Sequence, residues 1–393
     1  MKLQKGHTLR ILYFFIFCCT ASWLPLLADF CKSCGLTGSQ TSLILSITPI
    51  MMFAVQPLYG VMADKLGYKR TMLTASLFAS ISYLGYLYKQ DFGWLVFVTV
   101  FMSLFYNTTQ PVLDSLSLQL ARADKRFSYG TLRIAGAVGW SATGIITGHL
   151  VDAININIMF AVSAASMFLV FLFSSMLPRD SMEKNISGEK PYQYLKEVTR
   201  NGPLLFLLLC VFLVSASATT IWNFYSLYMK ENGASASLVG YGLSFQGLCE
   251  LPLFYFSARI IARLGLKTTL IITVLATAVR MLFYHLIKNP VAVIPVEILH
   301  GVSWSLFWVA CVGYVGKLVN ERWAAGGQSL LYAAYYGAGA IAGNYWTGYL
   351  SEKMSIADIF LLNAGIVCIM AILLAWQMKR TSVTLSLPSD NPA

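Results

Sequence analysis

The sequence predicts an all-α integral membrane protein, with twelve transmembrane helices arranged as two pseudo-symmetric six-helix bundles. Three observations carry that prediction. Of 393 residues, 57% are hydrophobic and 11% charged, where soluble domains carry about 25% charged residues. The apolar residues come in runs of about 20, the length a helix needs to cross a bilayer with its backbone satisfied. The net charge of +11 sits in short segments between those runs, which reads as membrane topology and not as a nucleic-acid partner. The same figures exclude a disordered chain, and eight Cys scattered over 393 residues exclude a disulfide scaffold.

In chain order, the first half supplies apolar runs at 11–30, 42–62, 71–88, 94–118, 129–151 and 156–177. The first is too long, and has too many successors, to be a cleaved leader. A polar stretch follows from Arg179 to Gly202, with nine charged residues, Gly188 and Pro191. The second half supplies runs at 203–229, 238–260, 267–287, 290–317, 327–350 and 356–378. The expected organisation is an N-terminal bundle at 1–178, a cytoplasmic linker at 179–202, a C-terminal bundle at 203–379 and a tail at 380–393. With both termini inside, the inner segments hold 21 Lys and Arg, the outer segments 5, and Arg133 and Arg280 fall within spans. Basic residues favour the cytoplasmic side, so both termini are expected there. Short loops without outer glycosylation sequons suggest a bacterial inner membrane. Cys31 and Cys34 form a lone CxxC without a second pair or a nearby His, so no metal site is expected.

The halves repeat one another. Leu66-Gly67-x-Lys69-x-Thr71 recurs as Leu264-Gly265-x-Lys267-x-Thr269, 198 residues on, and Thr147-Gly148-x-Leu150 recurs as Thr347-Gly348-x-Leu350, 200 residues on. Two parallel six-helix repeats around a midplane cavity suit a carrier that rocks about its centre. Between the second and third spans the chain reads Gly60-Val-Met-Ala-Asp64-Lys-Leu-Gly67-Tyr-Lys69-Arg70. The glycines permit a tight turn, and Asp64 can pair with basic groups at a cytoplasmic gate. This stretch resembles the G-x-x-x-D-x-x-G-x-[KR]-[KR] signature of the major facilitator superfamily. The second copy has Ala262 where the acid would stand.

Ionisable groups within spans cost several kcal/mol unless paired or hydrated. Here they are Asp114, Arg133, Glu250, Arg280, Glu297 and His300. Asp114 is placed to pair with Arg133 across two helices, as a binding pair or a structural one. Arg133, one turn into its span, also suits an anchor at the inner surface. Glu297 lies toward the outer end of the tenth span and reads as interfacial, as do His149 and His285 near span ends. Aromatic residues gather with amides in the second half: Trp222 and Asn223, Gln246, Trp304 and Trp308, Tyr335, Asn344 and Trp346. Rings beside amides and acids suit a sugar or another flat solute.

A closer resemblance rests on Asn107-x-x-x-Pro111-x-x-Asp114 and Tyr129-Gly130-x-x-Arg133-x-x-Gly136-x-Val138-Gly139-Trp140. These are similar to helices 4 and 5 of the lactose permease family of oligosaccharide:proton symporters. The resemblance implies that Asp114 and Arg133 bind sugar hydroxyls, with Asn107 nearby, and that Trp140 stacks on the pyranose ring. Glu250, Arg280 and His300 resemble the same family's polar network, which implies proton coupling. The family's coupling Glu is replaced here by Ser303, so Glu250 or Asp114 must carry any proton. The stretches Gly242-Leu-Ser-Phe to Glu250 and Glu297-Ile-Leu-His300-Gly also resemble the phenylpropionate permease group.

The function expected is secondary active transport of the major facilitator type, importing a sugar or glycoside with a proton by alternating access. Asp114, Arg133, Trp140, Asn107, Trp222, Asn223, Gln246, Trp304 and Trp308 would bind the solute. Glu250, Arg280 and His300 would couple the proton, and Gly60, Asp64, Gly67, Lys69 and Arg70 would form the cytoplasmic gate. The alternative cargo is a phenylpropionate-like aromatic acid or a nucleoside, with Arg133 or Arg280 as anchor and Asp114 opposing a carboxylate. A non-transporting receptor or scaffold is a third reading. No HExxH, GxSxG or P-loop pattern is present, so no enzyme is expected. The expected partners are a small solute and the bilayer, without nucleic acid, metal or cofactor. The proton gradient is the driving force, and one chain suffices for function.

Overall fold

Glycine sets the corner between the second and third helices and, in the second half, between the eighth and ninth. Gly67 has φ +87° and Gly265 φ +77°, a region that side chains disfavour. Each carbonyl then accepts the next helix's first turn, from Thr71 N at 3.1 Å and from Thr269 N at 3.0 Å. The motif repeated at 198 residues is thus one turn built twice.

The computed structural model describes residues 2–124, 126–127, 129–177, 201–319 and 324–380. Within them the chain forms twelve helical rods: α1 (2–33), α2 (38–66), α3 (68–85), α4 (92–123), α5 (129–153), α6 (158–174), α7 (202–231), α8 (236–264), α9 (266–286), α10 (290–318), α11 (324–351) and α12 (356–380). Polar side chains start several of them. Asp91 accepts from Trp94 N on α4, and Ser235 from Leu238 N on α8. Seven of the rods are long and apolar enough to cross a membrane by themselves; the others are shorter, more polar, or carry residues outside the described set. The linker expected at 179–202 and the tail at 380–393 lie almost entirely outside the described residues.

Three rods are not uniform. A 3-10 turn at Leu24–Leu26 carries α1 on to Ser33. In α10 a 3-10 turn at Ile294–Glu297 precedes a π-helical turn at Gly301–Leu306, and α11 has a π turn at Ala333–Gly339. π turns recur at functional sites because the extra residue re-aims side chains.

α1 packs on α5 and α6, and α3 on α4 and α6; α7 packs on α11 and α12, and α9 on α12. The two bundles meet along α5 with α8 and along α2 with α11. Both seams run tight from the end away from the basic loops, called the far end below, to mid-helix. A Cβ on Gly148 would stand 2.9 Å from Ser237 Cα, and one on Gly247 would stand 3.2 Å from Trp140 Cδ1. Ser42 donates to the Asn344 carbonyl at 2.8 Å. Lys230 pairs with the buried Asp29 at 2.9 Å, joining α7 to α1. The bundles are therefore sealed against each other at the far end.

Candidate functional site

Two polar clusters face the interior, one in each bundle. In the first, Asp114 on α4 accepts from the Tyr13 hydroxyl of α1 at 2.6 Å and from the Tyr129 hydroxyl of α5 at 3.1 Å. Arg133, one turn along α5, donates to the Tyr129 hydroxyl at 2.7 Å. The two charges are thus joined through Tyr129. Arg133 also lies over the Phe17 ring at 5.8 Å. Asp114 and Arg133 are both half-buried. Trp140 is half-buried two turns along α5, its ring edge on the Gly247 backbone of α8. The Asn107 amide donates to the Thr48 carbonyl of α2 at 3.0 Å, so it ties α4 to α2.

The second cluster centres on Glu297, which sequence position had suggested was interfacial. Instead Glu297 is 0% exposed. The 3-10 turn at Ile294–Glu297 turns it inward, where Arg280 of α9 forms an ion pair with its Oε2. Gln246 of α8 donates to the same oxygen at 2.8 Å, and the Tyr284 hydroxyl donates to Oε1 at 2.7 Å. Arg280 Nη1 donates to His300 Nδ1 at 2.7 Å. Because a guanidinium only donates, Nδ1 is an acceptor; the imidazole is neutral with its proton on Nε2. That Nε2 faces Glu250 Oε1 at 2.8 Å and donates to it. Glu250, Arg280 and His300 are thus brought together, with Gln246, Tyr284 and Glu297 completing the network. Ser303, within the π turn, bonds its own helix at the His300 carbonyl.

The aromatic residues adjoin this network. The Trp222 ring lies 5.3 Å from the His300 ring and 5.3 Å from Trp304. Trp304 neighbours Trp308 at 5.5 Å and Tyr335 at 5.1 Å. Tyr332 and Tyr336 extend the group, at 4.9 and 5.4 Å from Trp308, into one aromatic face of α10 and α11. Asn223 is set apart: its amide donates to Asn344 at 2.7 Å between α7 and α11.

At the basic end, Gly67 makes its turn, Arg70 is exposed, and Lys69 donates to the carbonyls of Ser175 and, at 2.7 Å, Leu177 at the end of α6. The backbone of Gly60 and Asp64 belongs to α2; the Asp64 side chain lies outside the described residues.

A family model described as MFS_1 like matches residues 7–362. The maltose permease of Geobacillus stearothermophilus is 26% identical, over 95% of this chain and 95% of its own length. A probable 3-phenylpropionic acid transporter of Escherichia coli is 24% identical, over 88% and 89%. The crystal structure of the nucleoside transporter NupG superposes with a TM-score of 0.81 at 19% identity, covering 95% of this chain and 99% of that one; this likeness concerns the fold.

Proposed function

The chain belongs to the MFS_1 like family, and from that premise we propose that it imports a sugar or glycoside together with a proton. It is a multi-pass membrane transporter of the major facilitator type that handles a small solute, and not an enzyme. The observation that carries the sugar reading is the Asp114–Tyr129–Arg133 chain. An acceptor and a donor of opposite charge, joined through a hydroxyl, match the alternating donors and acceptors of a polyol. A carboxylate cargo would meet Asp114 as well as Arg133. The maltose permease relative supports the same class. Trp140 and the Trp304–Trp308 face offer rings for the apolar faces of the sugar.

Proton coupling rests on the contrast between two carboxylates. Glu297 is held by three donors and serves as a fixed counter-ion to Arg280. Glu250 accepts from His300 and keeps 20% of its side chain exposed, so it is the group that exchanges a proton with the cavity. The bias of basic residues supports cytoplasmic termini, and the bacterial permease relatives support an inner membrane. With the far end outside, this conformation is closed to the exterior. One chain holds the whole site.

The test is uptake into proteoliposomes across labelled maltose-like disaccharides, nucleosides and 3-phenylpropionate, with and without an inward proton gradient. Concentrative sugar uptake that needs the gradient is expected. Sugar entry that merely equilibrates would remove the proton, and uptake of the aromatic acid alone would replace the cargo.

A further inference from the structure

The far-end seams carry a pair of contacts that the transport reading does not use. Asp152, at the end of α5, accepts from the backbone N–H of Ala236 at 2.8 Å and of Ser237 at 2.7 Å. These are the first two residues of α8, in the other bundle. Glu352, following α11, accepts from Ser39 N at 2.8 Å and from Ser39 Oγ at 2.9 Å. Ser39 is the second residue of α2, again across the bundle interface. In both places a carboxylate from one bundle satisfies the free N–H groups and meets the positive end of a helix in the other.

The pair is duplicated in register. Asp152 and Glu352 stand 200 residues apart, as do Thr147-Gly148 and Thr347-Gly348; Ser39 and Ser237 stand 198 apart, as do Gly67 and Gly265. The glycine one turn before each carboxylate lets the backbones meet: a Cβ on Gly148 would press on Ser237 Cα, and one on Gly348 on Ser42 Cβ, each at 2.9 Å. The geometry points to Asp152 and Glu352 as positioning residues for alternating access, twin latches that hold the outer side shut and must break together when it opens. Both carboxylates are exposed already, so breaking the contacts chiefly returns the N–H groups of both helix starts to water. The internal symmetry makes one rocking motion act on both. The word outer rests on the orientation proposed above; the cross-bundle contacts do not.

The test measures distance and needs no cargo. Spin labels go on Ile154→Cys and Val291→Cys, far-end sites in different bundles that are 58% and 60% exposed. The partly exposed native thiols Cys34, Cys249 and Cys368 are replaced by Ser. Full-length protein in proteoliposomes should give one short distance. Asp152→Asn and Glu352→Gln should each raise the open population about two- to fivefold, the scale of losing an exposed charge at a helix start, and the double variant should raise it further. Asp152→Glu and Glu352→Asp, which keep the charge, should restore the closed population at least in part. An unchanged distribution in both neutral variants would overturn the proposal, as would opening that the charge-keeping variants share in full. If one neutral variant fails to fold, the other latch decides. Quenching of the labels by a membrane-impermeant reductant reports separately whether the far end is outside, so a wrong orientation is told apart from a wrong latch.

Discussion

The two polar clusters are built from the same residue types and yet differ in how their charges are held. In the N-terminal bundle, Asp114 and Arg133 are half-buried and touch only through Tyr129. In the C-terminal bundle, Arg280 and Glu297 are in direct ion pair, 2% and 0% exposed, with Tyr284, Gln246 and His300 satisfying them. A pair spaced by a hydroxyl can admit a ligand's hydroxyl in its place. A pair closed on itself in a low dielectric cannot be opened without stranding a charge. The difference suggests a division of labour: the first cluster binds, and the second keeps a fixed charge beside the exchangeable Glu250.

The largest expected effect breaks the second cluster. Arg280→Met leaves Glu297 buried without its counter-ion, a loss of about 3–5 kcal/mol, and should abolish folded protein in detergent. Arg280→Met combined with Glu297→Leu removes both charges and should recover a monodisperse peak by size-exclusion chromatography. Failure of the double variant to recover would mean that Gln246 and His300 depend on the pair for more than charge balance.

Asp114→Asn should do the opposite. It retains an acceptor for Tyr13 and Tyr129 and costs about 1–2 kcal/mol, so insertion and thermal midpoint should stay near the parent's. Uptake should fall by about a hundredfold, as two charge-assisted contacts to cargo weaken. Loss of folded protein instead would make Asp114 a structural residue and erase the contrast between the clusters.

Glu250→Gln sharpens the contrast within the second cluster. The amide oxygen still accepts from His300 Nε2, so the network should stand. Accumulation against a gradient should disappear, while exchange of labelled for unlabelled sugar continues. Glu297→Gln, by comparison, should lose folded protein. If Glu250→Gln still accumulates sugar under an inward proton gradient, the proton travels elsewhere.

The sequence displays some of this organisation directly and conceals the rest for physical reasons. Spans and repeats are legible because lipid imposes a length on every helix and because a positive φ demands Gly at both 67 and 265. The pairing of Glu250, His300 and Arg280 is legible because buried charge is rare. Glu297 is not, since its place near a span end gives depth and not direction; the 3-10 turn at Ile294–Glu297 supplies the direction. Tyr13 and Tyr284 are hidden by composition: in a chain with 21 Tyr nothing marks the ones whose hydroxyls reach an acid. Tyr13 meets Asp114 across 101 positions, a contact that no local pattern encodes. Asp152 and Glu352 look like ordinary loop-edge acids until the repeat offset is carried on to them.

The smallest expected effect concerns Trp140, which lies on the seam and which the proposal sets against the sugar. Its Cδ1 stands 3.2 Å from where a Gly247 side chain would begin, so the ring edge packs on α8. Trp140→Tyr keeps an aromatic face with less area. Its cost should be about 1 kcal/mol of stacking, read as a five- to tenfold rise in the sugar concentration giving half-maximal uptake, with thermal midpoint unchanged. Trp140→Leu, which has no ring face, should lose more affinity and leave the seam less filled. If both variants transport like the parent, the ring serves packing against Gly247, and sugar selectivity rests on the Asp114–Arg133 pair and the aromatic face of α10 and α11.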